Sequence, residues 1–128
     1  MANHQHEHAV NWFEIPVTDL PRAQSFYETL LGRPMQRMDM GGETMAMFKS
    51  DDVGVGGCLV AGPNVPPPAQ NGSLVYLNAK PSIDAALARV EAAGGRITTP
   101  KVQLPDDMGF FAHVIDTEGN RVGLHALA

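Results

Sequence analysis

Residues 16–32 read Pro-Val-Thr-Asp-Leu-Pro-Arg-Ala-Gln-Ser-Phe-Tyr-Glu-Thr-Leu-Leu-Gly. Asp19 offers a side-chain oxygen to the first free backbone N–H groups of a helix, and Pro21 is tolerated in the first turn. Ala23, Phe26, Tyr27, Leu30 and Leu31 then recur at helical spacing, until Gly32 supplies a residue that reaches the left-handed region without strain. The stretch is therefore an amphipathic helix with both ends marked. Immediately before it, Asn11 to Val17 alternates, with Phe13, Ile15 and Val17 on one face and Trp12, Glu14 and Pro16 on the other, which predicts a strand. After it, Met35 to Met40, Thr44 to Lys49 and Val53 to Val60 are three short predicted strands, divided by Gly41-Gly42 and by Ser50-Asp51-Asp52. The order is β-α-β-β-β.

The same order returns after Gly62 to Gly72, a Pro-rich segment that sustains neither a helix nor a central strand. Leu74 to Ala79 is a predicted strand, and Ser82 caps a helical stripe of Ile83, Ala86, Leu87, Val90 and Ala93 that ends at Gly94-Gly95. Strands follow at Arg96 to Thr99, Phe110 to Ile115 and Arg121 to Leu127, the last two joined by the turn Asp116-Thr117-Glu118-Gly119-Asn120. Gly32 and Gly95 lie 63 residues apart, and Gly57 and Gly123 lie 66 apart, so the second half repeats the first. The expected fold is α+β: two tandem βαβββ modules, 10–61 and 73–128, joined by the linker 62–72 into one domain behind a flexible tail, 1–9. Each helix covers one face of a curled sheet, and the other faces enclose an open, partly closed, barrel-like trough. Parity turns Ile15, Val17, Val75 and Leu77 toward the helices and Trp12, Glu14, Leu74, Tyr76 and Asn78 into the trough.

Composition narrows the function classes. The chain has 128 residues, 13 Gly, 10 Pro and a net charge of −5, with no run of Lys or Arg to follow a phosphate backbone or an anionic lipid surface. Nucleic acid and membrane are not expected partners. One cysteine, Cys58, leaves no internal disulfide, and no segment reads as a spanning helix or a signal peptide, so a cytoplasmic location is expected.

Residues 16–32, their echo Ile-Asp-Ala-Ala-Leu-Ala-Arg-Val-Glu-Ala-Ala-Gly-Gly at 83–95, and Asp-Thr-Glu-Gly-Asn-Arg-Val-Gly-Leu-His at 116–125 resemble the vicinal oxygen chelate superfamily of glyoxalase I, bleomycin-resistance proteins and extradiol dioxygenases. The resemblance implies a ligand in the trough and a homodimer. It also implies where a metal would sit: on the first strand of each module, seven residues before the acidic residue opening the helix, and on each module's last strand. Here those places fall at Trp12, near Leu74, and near Gly57 and Gly123. None offers a side-chain ligand to a hard divalent cation, so the usual centre is expected to be absent and glyoxalase I activity with it.

Two residues along from the empty positions stand Glu14 and His125, and the last hairpin adds His113. A carboxylate beside an imidazole raises its basicity and fixes its tautomer, so Glu14, His125 and His113 are the candidate catalytic residues of a lyase, isomerase or dioxygenase-like enzyme. The same three are a two-His-one-carboxylate set for a displaced divalent metal; otherwise no cofactor is expected. The alternative is a protein that only binds, its polar residues satisfying one another. Trp12, Tyr76, Met47, Leu59 and Phe111 are the expected ligand-lining residues, suited to a flat or aromatic molecule. His4-Gln5-His6-Glu7-His8 offers incidental metal affinity at the terminus, and Cys58 is expected to be inert.

Overall fold

The computed structural model describes residues 8–51 and 53–128. The first module runs β1 (Trp12–Pro16), α1 (Leu20–Leu31), β2 (Gln36–Met40), β3 (Glu43–Met47) and β4 (Gly56–Ala61). The second runs β5 (Tyr76–Asn78), α2 (Ile83–Ala93), β6 (Arg96–Gln103), β7 (Phe110–Ile115) and β8 (Arg121–Ala126). Each forms its own four-stranded sheet, ordered β1-β4-β3-β2 and β5-β8-β7-β6, in which only the first and last strands of the module pair in parallel. The α+β duplication is as the sequence predicts. The sheets stay separate, however, and no closed barrel forms.

Both helices end as their caps dictate. Asp19 accepts from the Arg22 N–H at 3.1 Å and Ser82 from the Ala85 N–H at 3.1 Å, while Gly32 (φ 67) and Gly94 (φ 107) close the C-termini in the left-handed region. Their apolar stripes meet in one core that spans both modules: Phe26, Tyr27 and Leu30 of α1, Ile83 and Val90 of α2, and Ile15, Leu59, Leu77, Val114 and Leu124 of the sheets. The helices pack on each other. Gly95 allows this approach, because a Cβ there would sit 2.5 Å from the Ile115 carbonyl and 2.7 Å from the Phe26 ring. Each sheet thus turns one face to the shared core and the other away from it.

Strand limits move where local chemistry outweighs periodicity. Asp51 accepts from the N–H groups of Val53 (3.1 Å) and Gly54 (2.6 Å), a side-chain-capped turn that delays β4 to Gly56. β6 runs four residues past the expected Thr99, carrying Pro100 on an edge strand with register shifts on either side of Thr99. β5 is only three residues long, although backbone bonds at Val75 and Ala79 continue its pairing with β8.

The turn at 116–120 locks the modules together. Asp116, buried, accepts from the Tyr27 hydroxyl (2.6 Å), from the Asn120 amide side chain (3.1 Å) and from the N–H groups of Glu118 (2.8 Å) and Asn120 (2.9 Å). Asn120 donates to the Pro16 carbonyl at 2.7 Å. Glu118 accepts from Thr18 N (2.9 Å), Asp19 N (2.8 Å) and a forked pair of bonds from Arg22 (2.7 and 3.0 Å). Burial opposes the charge on Glu118, but these donors outweigh it and hold the carboxyl down at about 2.

Candidate functional site

On the face of the second sheet turned away from the core, the registers Tyr76↔Gly123, His113↔Gly123 and Phe111↔His125 set four expected site residues side by side. Tyr76, Phe111 and His125 line a hollow of about 350 Å³ with Leu104. The Tyr76 and Phe111 rings meet edge to face at 6.0 Å, and His113 lies 5.6 and 5.3 Å from them. Gly123 is the floor: a Cβ there would overlap the Tyr76 ring.

His113 is largely buried, and its two nitrogens are used differently. A guanidinium only donates, so the 2.9 Å bond from Arg121 makes Nδ1 an acceptor, and the Thr99 hydroxyl sits 3.0 Å from the same atom. Burial, then the charge of Arg121, push the His113 pKa down, so the ring is neutral near pH 7. Its one proton is therefore on Nε2, which donates to the Tyr76 oxygen at 2.8 Å. With its lone pair engaged, the Tyr76 hydroxyl keeps its own proton to donate. His125 has the same Nε2–H form for a simpler reason, since Nε2 lies 2.7 Å from the Met108 carbonyl, which only accepts. In the neutral ring Nδ1 is then the nitrogen left to accept. A donor, Tyr76, and an imidazole carrying an acceptor, His125, line one hollow.

The first sheet differs. Trp12 and Glu14 lie on its outward face and bond only to each other among the described residues, Nε1 to Oε2 at 3.4 Å. Met45, Cys58 and Val60 form a small apolar cluster on that face, with Met47 and Val65 packed against it. Val65 comes from the Pro-rich linker, which thus roofs part of the face. Cys58 is fully buried; desolvation, then Glu14 and Glu43, raise its thiol to about 11.

Several expectations need correction. Leu59 does not line the outward face: it is fully buried in the helix-side core, and Cys58 takes the position opposite Glu14. Gly57 also faces the core, where a Cβ would overlap the Phe13 ring; Gly56, opposite Trp12, is the outward glycine. Glu14 is joined by no hydrogen bond to His113 or His125, and among the described residues no three His, Cys, Asp or Glu side chains gather as a metal-holding group. Leu74 leads into β5 without belonging to it. Of the terminal histidine run, residues 4–7 lie outside the described residues; His8 is 3.1 Å from the Val53 carbonyl. Thr99, Leu104 and Arg121 were not foreseen. Arg121 shares parity with Gly123 and His125 on the last strand, a signal that was available; Thr99 stands between two bulges, which erase parity.

Residues 9–124 match the family model of the Glyoxalase/Bleomycin resistance protein/Dioxygenase superfamily. Among curated proteins, "Putative glyoxylase CFP32" of Mycobacterium bovis and of Mycobacterium tuberculosis are each 34% identical over 111 residues, which is 84% of this chain and 40% of theirs. The chain thus spans well under half the length of the curated relatives it matches. Glyoxalase I from Zea mays superposes with a TM-score of 0.65 at 23% identity, over 91% of this chain and 45% of that one. A glyoxalase/bleomycin resistance protein from Albidiferax ferrireducens T118 superposes with a TM-score of 0.65 at 22% identity, over 91% and 98% of the two chains. At these identities the likeness is one of fold.

Proposed function

The chain belongs to the Glyoxalase/Bleomycin resistance protein/Dioxygenase superfamily, and from that premise we propose that it binds a small aromatic molecule carrying a carbonyl or phenolic oxygen in the hollow of the second sheet. The observation that carries the reading is the Thr99/Arg121–His113–Tyr76 relay. It fixes a neutral imidazole in the tautomer that leaves the Tyr76 hydroxyl as a donor. Phe111 and Leu104 give the ring of the ligand its apolar wall. The metal-free form of the site belongs to the same reading: Trp12 pairs with Gly56 and Tyr76 with Gly123, and these four offer no carboxylate or imidazole to a divalent cation.

A second reading, an enzyme, is favoured by one observation, the pairing of a donor and an acceptor in one hollow. His125 Nδ1 would take a proton from carbon or oxygen of the ligand while Tyr76 stabilises the oxygen that gains charge. Glu14, on the first sheet and without a bond to either imidazole, has no part in this scheme. Exposed Trp12, Met38, Met40, Tyr76 and Met108 support pairing with a second copy, which sedimentation analysis measures. No helix among the described residues is long and apolar enough to cross a membrane, and a cytoplasmic location rests on the single buried, unpaired cysteine.

Calorimetric titration with 2-acetylnaphthalene and with 2-ethylnaphthalene tests the reading, because the two probes differ by one carbonyl. The expected result is about a tenfold preference for the ketone that Tyr76→Phe removes, one hydrogen bond's worth. Equal binding of the two probes by the unaltered protein would overturn it. For the enzymatic reading, exchange of the ketone's α-hydrogens into deuterated water is expected to depend on His125 and to vanish in His125→Gln.

A further inference from the structure

A second, mostly apolar cavity lies elsewhere, on the helix side of the junction between the modules. It has a volume of about 460 Å³, within the ordinary range for small-molecule sites. Phe13, Tyr27, Leu31 and Phe48 of the first module face Val75 and Leu77 of the second across it, and His8 to Val10 border it. Two basic side chains, Arg33 and Lys49, belong to its lining, and no Asp or Glu does among the described residues. In a chain with 14 acidic and 9 basic residues, an apolar cavity with cations and no carboxylate has a definite charge preference.

Arg33 is held in place. Its guanidinium donates to the Asn78 carbonyl at 2.7 Å, from the loop after α1 across to β5, and this bond uses one of five N–H donors. The Tyr27 hydroxyl, by contrast, is committed to Asp116, so the tyrosine contributes its ring and not a polar group. We propose that this cavity, which shares only Tyr76 with the lining of the Tyr76–His125 hollow, is a second ligand site, and that it takes a small aromatic carboxylate: the ring against Phe13, Phe48 and Leu31, the carboxylate between Arg33 and Lys49. A carboxylate accepts forked bonds from a guanidinium and gains from a second cation, whereas an alcohol of the same shape gains from neither. The site stands whether or not the hollow of the second sheet binds ketones.

Calorimetric titration of the full chain with 1-naphthoate and with 1-naphthalenemethanol tests it. The acid is expected to bind at least tenfold tighter than the alcohol. Lys49 is exposed, so Lys49→Glu is expected to fold normally and to abolish that preference. Leu31→Trp, which fills the cavity, is expected to weaken both probes, while Phe111→Ala in the other hollow is expected to change neither. Equal affinity for acid and alcohol, an undiminished preference in Lys49→Glu with its melting temperature unchanged, or loss of naphthoate binding in Phe111→Ala would each overturn the proposal.

Discussion

The outward faces of the two sheets hold equivalent places in the repeated module and are opposite in character. On the first sheet, Met45, Cys58 and Val60 are buried with Val65 of the linker folded against them, and the exposed pair Trp12 and Glu14 bond to each other. On the second, Thr99, Arg121, His113 and Tyr76 form a chain of hydrogen bonds beside Phe111 and His125. The duplicated backbone supplies two equivalent cradles. Roofing one with an apolar linker buries its side chains, and the other stays open and polar, which is where the proposed ligand would sit. The linker is therefore more than a spacer between modules.

The most damaging way to disturb this division is to unfasten the modules. Asp116→Ala strands the buried Tyr27 hydroxyl and the Asn120 side chain, and is expected to cost about 3 kcal/mol, measured as a fall in the denaturant midpoint at constant slope. Next come the two outward glycines. Gly123→Ala drives a Cβ into the Tyr76 ring, which His113 holds, and is expected to cost about 2 kcal/mol and to remove the ketone preference. Gly56→Ala meets the Trp12 ring at 3.1 Å, against outright overlap of a Gly123 Cβ with the Tyr76 ring, so a small shift relieves it, and it is expected to cost under about 1 kcal/mol. Equal costs at the two glycines would mean that Tyr76 is no better held than Trp12.

Removing the roof is a gentler change. Val65→Ala is expected to cost about 1 kcal/mol and to raise the rate at which an aromatic disulfide reagent labels Cys58 at least tenfold. In the unaltered protein burial and a thiol pKa of about 11 keep that reaction slow. An unchanged labelling rate would show that the linker does not cover the face.

The smallest effect is one of pH. His113 has its pKa lowered in the folded protein, so its contribution is present above the unfolded value near 6.5 and is lost as pH falls through the folded value. On protonation Nδ1 no longer accepts from Arg121, so ketone binding is expected to weaken on the acid side of pH 6.5, and to do so less in His113→Gln. Glu118 follows the same sign in a lower window: its contribution is present above about 4.5 and is lost as pH falls through about 2, which loosens the contact between the modules and not the hollow.

Both helices, their caps and stops, and the β7–β8 turn were legible because each is fixed by a few neighbouring residues: Asp19 with Gly32, Ser82 with Gly94, Asp116 with Asn120. The strand face holding Trp12, Tyr76, Phe111 and His125 was legible from alternation. Pairing across the duplication was not. The parallel register puts Trp12 opposite Gly56 and Tyr76 opposite Gly123, so the modules are offset by 64 residues at their first strands and 67 at their last. The 66-residue spacing of Gly57 and Gly123 is one short of the true offset at the last strands, and it sets Gly57 and Leu59 on the face that Gly56 and Cys58 occupy. The His113 relay was hidden for another reason, because Thr99 reaches Nδ1 from a bulged edge strand, and a bulge breaks the period of two on which facing is judged.

The division between a structural face and the proposed ligand face rests on the proton of one imidazole. Long-range ¹⁵N–¹H correlation spectra of the His113 ring at pH 7 report it directly. The account predicts a neutral ring protonated at Nε2 with an unprotonated Nδ1; a ring protonated at Nδ1, neutral or cationic, would contradict it, since Arg121 could not then donate to that atom and the Tyr76 hydroxyl would not be held as a donor.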